Sequence, residues 1–150
     1  MNTEKYREYN SNGFQFCYPK DWTIEEYDDG VSAVSPTELN WSLRHFPADM
    51  EEESFLQEVV DALKDEYESV DVDKIAEQIN PGMVLHTWEI GFFCMDLPCT
   101  AVACTLKTPF SMYFLYYQGE IEELDDISEE LETMLQSWLE PFKGLDAPLV

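Results

Sequence analysis

The segment Phe14-Gln15-Phe16-Cys17-Tyr18-Pro19-Lys20-Asp21-Trp22 constrains the fold more than any other. Phe14, Phe16 and Tyr18 alternate with Gln15 and Cys17, so three aromatic rings share one face of a period-two strand. Pro19 has no amide N–H and a fixed φ, which ends the strand and turns the chain. Trp22 then acts as an anchor and leads Ile24 on the apolar side of a second strand.

The same alternation continues through the first half. Residues 1–12 read as a short polar lead-in, with Tyr6 and Tyr9 as the residues able to order it. Strands are expected at 14–18, 22–27, 31–35 and 41–46, joined as one meander. Asp28-Asp29-Gly30 is a hairpin signal, because glycine takes positive φ without strain. After Pro47, the residues Phe55, Leu56, Val59, Val60, Leu63 and Tyr67 fall on one helical stripe. Two capping boxes fit its start, Ser54 with Gln57 or Asp49 with Glu52. Residues 70–79 read as a strand, although Lys74-Ile75-Ala76-Glu77-Gln78 also suits a helix.

The second half is β-rich. Val84, His86, Trp88, Ile90, Phe92 and Cys94 form one alternating row, and Leu85, Thr87, Glu89, Phe93 and Met95 the other. Asp96-Leu97-Pro98 is expected to turn the chain into a strand over 99–107. The next strand, 110–118, is apolar on both faces, which predicts a central position covered on both sides. A final helix carries Ile127, Leu131, Leu135, Trp138 and Leu139, with Asp126 and Glu129 as its capping box and Pro141 as its stop. The order of elements predicts an α+β fold: an antiparallel sheet of six to eight strands with helices packed on its faces. One domain over 1–140 is expected, followed by a loose tail over 141–150.

Charge narrows the function classes. Acidic residues outnumber basic ones 32 to 8, a formal net charge of −24. That balance disfavours nucleic acid, whose affinity rests on Lys and Arg at phosphates, and anionic membrane surfaces. A protein partner with a basic surface suits it better. The polar N-terminus, Met1 to Asn12, has no apolar core of the kind a secretory signal needs. Reduced thiols and a cytoplasmic location are therefore the expectation.

Catalytic and metal motifs are weak. His45 and His86 are the two histidines, and neither sits in a nucleophile signature. Cys94, Cys99 and Cys104 lack metal-ligand spacing, and the odd separation of Cys99 and Cys104 puts them on opposite strand faces. The six glycines form no phosphate-binding pattern. No cofactor and no metal are expected, and the chain reads as a non-enzyme. The candidate partner-binding residues are the acids at turns and helix starts: Glu51, Glu52, Glu53, Glu122, Glu123 and Asp126. An alternative is a small-ligand or enzymatic pocket near His86 and Trp88. Monomer and homodimer are both open.

The opening segment, Gly13 to Trp22, resembles the "F-x-F-x-x-P-x-x-W" start of the PsbP-like superfamily. Phe92-Phe93-Cys94-Met95-Asp96-Leu97, with Thr100-Ala101, is similar to its bacterial members. The likeness spans about Tyr9 to Leu139. It implies an antiparallel sheet between helices, an α/β/α sandwich. It also implies a role in protein binding, since the group includes a photosystem II subunit and a Ran-binding nuclear factor. A second alternative is a chaperone of the type that serves type VI effectors, which has a related fold.

Overall fold

The lead-in is a strand. In the computed structural model, which describes residues 4–143, β1 (Tyr6–Ser11) pairs antiparallel with β2 (Phe14–Pro19) as a separate two-stranded sheet. The connection is Asn12-Gly13, both at positive φ (54° and 85°). This is the two-residue hairpin for which Asn-Gly is the strongest short signal. The expected four-strand meander therefore divides after Pro19. Its first strand joins the hairpin, and the other three enter the main sheet.

That sheet has seven strands, all paired antiparallel, in the order β3-β4-β5-β9-β8-β7-β6. They are β3 (Thr23–Tyr27), β4 (Gly30–Val34), β5 (Asn40–Pro47), β6 (Glu68–Asn80), β7 (Met83–Cys94), β8 (Leu97–Lys107) and β9 (Ser111–Glu120). The ambiguous segment is thus a strand. Ile75 on β6 is 47% exposed, so pairing with β7 along almost the whole strand holds it there. β9 is central as expected: Tyr113, Leu115 and Tyr117 join the core on one face, Phe114 and Tyr116 on the other. Phe110 does not belong to it; the ring lies in the preceding turn, 88% exposed. The β7–β8 turn is Met95-Asp96, both at positive φ, so Leu97 and Pro98 already lie in β8.

Helix α1 (Glu52–Glu66) covers one face of the sheet. Leu56, Val60 and Leu63 pack on Trp88, Ile90, Phe92, Ala101 and Ala103. Neither expected capping box forms. Glu51 is the N-cap, and its Oε2 accepts from the Ser54 N–H at 2.6 Å. The opposite face is covered by the β1–β2 hairpin, α2 (Ile121–Asp126) and α3 (Ser128–Lys143). Phe14, Phe16, Trp22, Trp41, Leu43, Met134 and Trp138 fill this side. On the far side of β2, the Cys17 N–H donates to Ser137 Oγ of α3 at 2.9 Å.

Two expectations about the last helix fail. Asp126 ends α2 and so cannot cap α3, which begins at Ser128. Pro141 does not stop α3, which runs on to Lys143. A proline forfeits a hydrogen bond in a helix, but the turn beyond it is anchored from outside. Asn80 Nδ2 donates to the Phe142 carbonyl at 2.6 Å, and the Phe142 ring packs on Tyr113 and Trp138 at centroid distances of 5.5 and 5.8 Å. The rest of the expected tail, 144–150, lies outside the described residues.

Candidate functional site

The two groups of candidate acids lie on opposite faces of the sheet. Glu51, Glu52 and Glu53 open α1. Glu122, Glu123 and Asp126 belong to α2, on the other side. The sequence reading treated them as one acidic surface, and the seven-stranded sheet separates them.

Two of the three α1 acids are bound into the fold, and Glu53 is exposed. Glu51 caps the helix, and the Ser54 hydrogen bonds hold its carboxyl below the usual glutamate range. Glu52 Oε2 accepts from Thr105 Oγ1 at 2.8 Å, and Thr105 is itself completely buried. Lys107 Nζ donates to the Met50 carbonyl at 2.8 Å, close to the same helix start. Glu51, Glu52, Glu53 and Lys107 rim a cleft of about 360 Å³ that also holds Lys74, His86 and Trp88. Lys74 Nζ lies over the Trp88 ring at 4.2 Å, a cation–π contact. The structure thus brings together the acids at 51–53 and the pocket near His86 and Trp88, two readings the sequence kept apart. Both lysines reduce the negative field in this corner.

The α2–α3 side is different. Glu122, Asp125, Asp126 and Glu129 are exposed. Glu123 accepts from Thr37 Oγ1 at 2.8 Å, and Glu130 meets Lys5 Nζ at 3.5 Å. The described residues form two ion pairs, this one and Arg44–Asp29. In these pairs Glu130 and Asp29 each meet a basic side chain.

Under this ridge lies a second cleft, of about 430 Å³. The sequence reading missed it. Trp41, Thr87, Glu89, Val102, Cys104 and Tyr117 line it from the sheet, and Leu124, Asp125, Leu131 and Glu132 from the helices. One signal was available: Glu89 is the lone charged residue between Leu85 and Phe93 in its alternating row.

The two histidines lie on opposite faces of the sheet. His45 lies near Phe14 on one face, whereas His86 shares the opposite row with Trp88. Cys99 and Cys104 do point to opposite faces. All four cysteines are free. Burial pushes the Cys104 thiol up to about 11, a shift that the Thr87 hydroxyl opposes. Burial also raises Cys99. A thiol with a raised pKa carries little thiolate near neutral pH. Among the described residues no group of three or more His, Cys, Asp or Glu could hold a metal ion, and no helix is long and apolar enough to cross a membrane.

An antiparallel sheet with α1 on one face, and two helices and a hairpin on the other, defines an α+β sandwich. Neither a family model nor a curated protein matches the chain. Solved structures match the fold. The solution structure of cyanobacterial PsbP (CyanoP) from Synechocystis sp. PCC 6803 superposes with a TM-score of 0.67 at 16% identity, covering 89% of this chain and 91% of that one. The crystal structure of LpqN, involved in cell envelope biogenesis of Mycobacterium tuberculosis, matches with a TM-score of 0.53 at 12% identity, covering 86% and 87%. The fold is PsbP-like.

Proposed function

We propose that the chain is a non-catalytic binding module that docks a protein with a basic surface through the α2–α3 ridge. The observation that carries this reading is the ridge itself. Glu122, Asp125, Asp126 and Glu129 stand exposed on one side of a molecule with a net charge of −24. The α1 corner is the poorer candidate, because Glu51 and Glu52 already serve the fold and two lysines stand beside them. The raised thiol pKa values and the separation of the two histidines favour a non-catalytic role. A chaperone would need a concave apolar sheet face or a dimer groove; among the described residues both sheet faces are covered, which disfavours the first.

Charges at the rim of an interface mainly steer encounter, and their reach shrinks to about 8 Å at physiological salt. The test is capture of the partner at low and high salt, followed by association kinetics. The double variant Glu122→Lys/Asp126→Lys is expected to lower the on-rate. Glu58→Lys/Asp65→Lys, which changes net charge equally on exposed positions of α1, is expected to leave it near the wild-type value. Equal losses from both variants, or salt-independent association, would overturn the ridge as the docking face.

A further inference from the structure

The β7–β8 hairpin ends in an apolar cluster that the fold leaves uncovered. Phe93, Met95 and Leu97 are 51%, 91% and 49% exposed. Phe93 pairs with Pro98 and Cys94 with Leu97, so Phe93 and Leu97 leave the hairpin on opposite faces, with Met95 between them in the turn. Ile121 of α2, 42% exposed, joins them. It follows Glu120, whose partner is Cys99, and so stands at the level of Pro98. Of the eight large apolar side chains exposed among the described residues, these four gather at one end of the sheet.

Two observations separate this cluster from the scattered apolar exposure of any protein surface. The first is the backbone. Met95 and Asp96 both hold positive φ, 52° and 65°. The chain makes the same kind of two-residue turn at Asn12-Gly13, there with the residue types such a turn prefers. Methionine in left-handed backbone is strained, and at this exposure its side chain returns almost no burial to the fold. The hairpin is held all the same. Tyr67 stacks on Phe92 at 4.4 Å, and Cys99 Sγ donates to the Leu97 carbonyl at 3.6 Å. A fixed hairpin thus presents, at its tip, the apolar side chain that adapts best to varied surfaces.

The second is charge. Glu68 on β6 pairs with Phe93, Asp96 sits in the turn, and Glu120 and Glu122 flank Ile121, all four of them exposed. Against these acids stands Lys64, in the last turn of α1. The tip is therefore ringed by negative charge. Such a ring repels the anionic headgroups of a membrane. It also repels a second copy of a chain whose net charge is −24. It complements an apolar pocket edged by lysine and arginine.

We propose that the β7–β8 tip is the apolar anchor of the docking surface, seated in an apolar pocket of a protein partner with Lys and Arg at its rim. This rests on the ridge reading for the sign of the partner's charge, and α2 joins the two, since Ile121 opens the helix that carries Glu122 and Asp126. The ridge steers approach, and the tip sets how long the complex lasts.

The probe is p-benzoylphenylalanine in place of Met95 in the full chain, irradiated in native extract, with the same group in place of Phe110 as control. Phe110 is 88% exposed but stands alone in the β8–β9 turn, at the other end of β8. A protein crosslinked from position 95 and not from 110 is expected, with the adduct mapped by mass spectrometry to apolar residues flanked by Lys or Arg. With that partner purified, Met95→Asn is expected to speed dissociation about tenfold and to leave the on-rate within about twofold. Asparagine is a residue the turn prefers, so the free variant is expected to melt at or above the wild-type temperature. A lower melting temperature would make Met95 a structural residue and overturn the proposal. So would an adduct with a second copy, no protein adduct from position 95, equal crosslinking from both positions, or an unchanged dissociation rate. Binding to vesicles of phosphatidylcholine and phosphatidylserine in equal parts, lost in Met95→Asn, would overturn it in favour of a membrane. The ridge fails separately: if Glu122→Lys/Asp126→Lys leaves the on-rate unchanged while Met95→Asn still shortens the complex's lifetime, the ridge falls and the tip stands.

Discussion

The two helix-covered faces of the sheet both carry acidic residues at helix starts, but they use them differently. At the start of α1, Glu51 closes the helix through the Ser54 N–H and Glu52 accepts from a buried threonine. Along α2 and α3, Glu122, Asp125, Asp126 and Glu129 face solvent. Glu51 and Glu52 are bound into the fold and Glu53 is exposed, while on the other face Glu123 and Glu130 have partners and Glu122, Asp125, Asp126 and Glu129 face solvent. Carboxylate density is therefore a poor guide to a binding surface until hydrogen-bond partners are known.

The contrast can be tested by substitution, beginning with the core that the hairpin face depends on. Trp22 is 7% exposed, between the hairpin and the sheet. Trp22→Ala is expected to cost about 3–5 kcal/mol in urea unfolding. A loss below about 1 kcal/mol is typical of surface sites and would remove Trp22 from the core. On the α1 face, Thr105→Val deletes the hydroxyl that holds Glu52. A hydrogen bond to a charged group contributes about 1.5–3 kcal/mol, and a loss near the lower end is expected. No change in midpoint would mean that Glu52 is as free as the ridge acids.

The Glu51 cap should show itself through pH. Its folded pKa is lowered by the Ser54 hydrogen bonds. The stability it contributes is therefore present above the unfolded value and lost as pH falls through the folded one. Glu51→Gln is expected to lower the melting temperature at neutral pH, and the gap should narrow below the ordinary glutamate value of about 4.3. A gap that stays constant down to strong acid would rule out the charged cap. The smallest effect is expected on the ridge. Glu122→Ala/Asp126→Ala should change stability by no more than about 0.5 kcal/mol. A larger destabilisation would make these residues structural and erase the difference between the faces.

Much of the β-structure was legible because strands write a period of two into the chain. The Phe14, Phe16, Tyr18 row, the doubly apolar β9 and the opposed Cys99 and Cys104 all follow from counting alternate residues. The hairpin at Asn12-Gly13 was equally local and was passed over, because polar flanks hid a strand whose partner is the aromatic row of β2. The N-cap was missed for a related reason. Ser54 and Asp49 fit cap patterns, but Glu51, a less favoured cap residue, holds the geometry.

By itself the sequence determined most of the element types, the inward rows and the overall charge, since each depends on residues a few positions apart, while the strand at 70–79 needed its pairing with β7. Tertiary structure alone decided that β9 returns beside β5 and leaves β6 at the sheet edge. It also decided that α3 continues past Pro141 on a contact from Asn80, and that the two acidic groups fall on opposite faces. The cleft draws on Trp41, Glu89, Tyr117 and Glu132, residues spread across the chain that meet only when four strands are in register under two helices. Local periodicity records which way a side chain points from its own backbone. Which distant side chain it meets depends on long-range strand pairing, and no short window of sequence contains that.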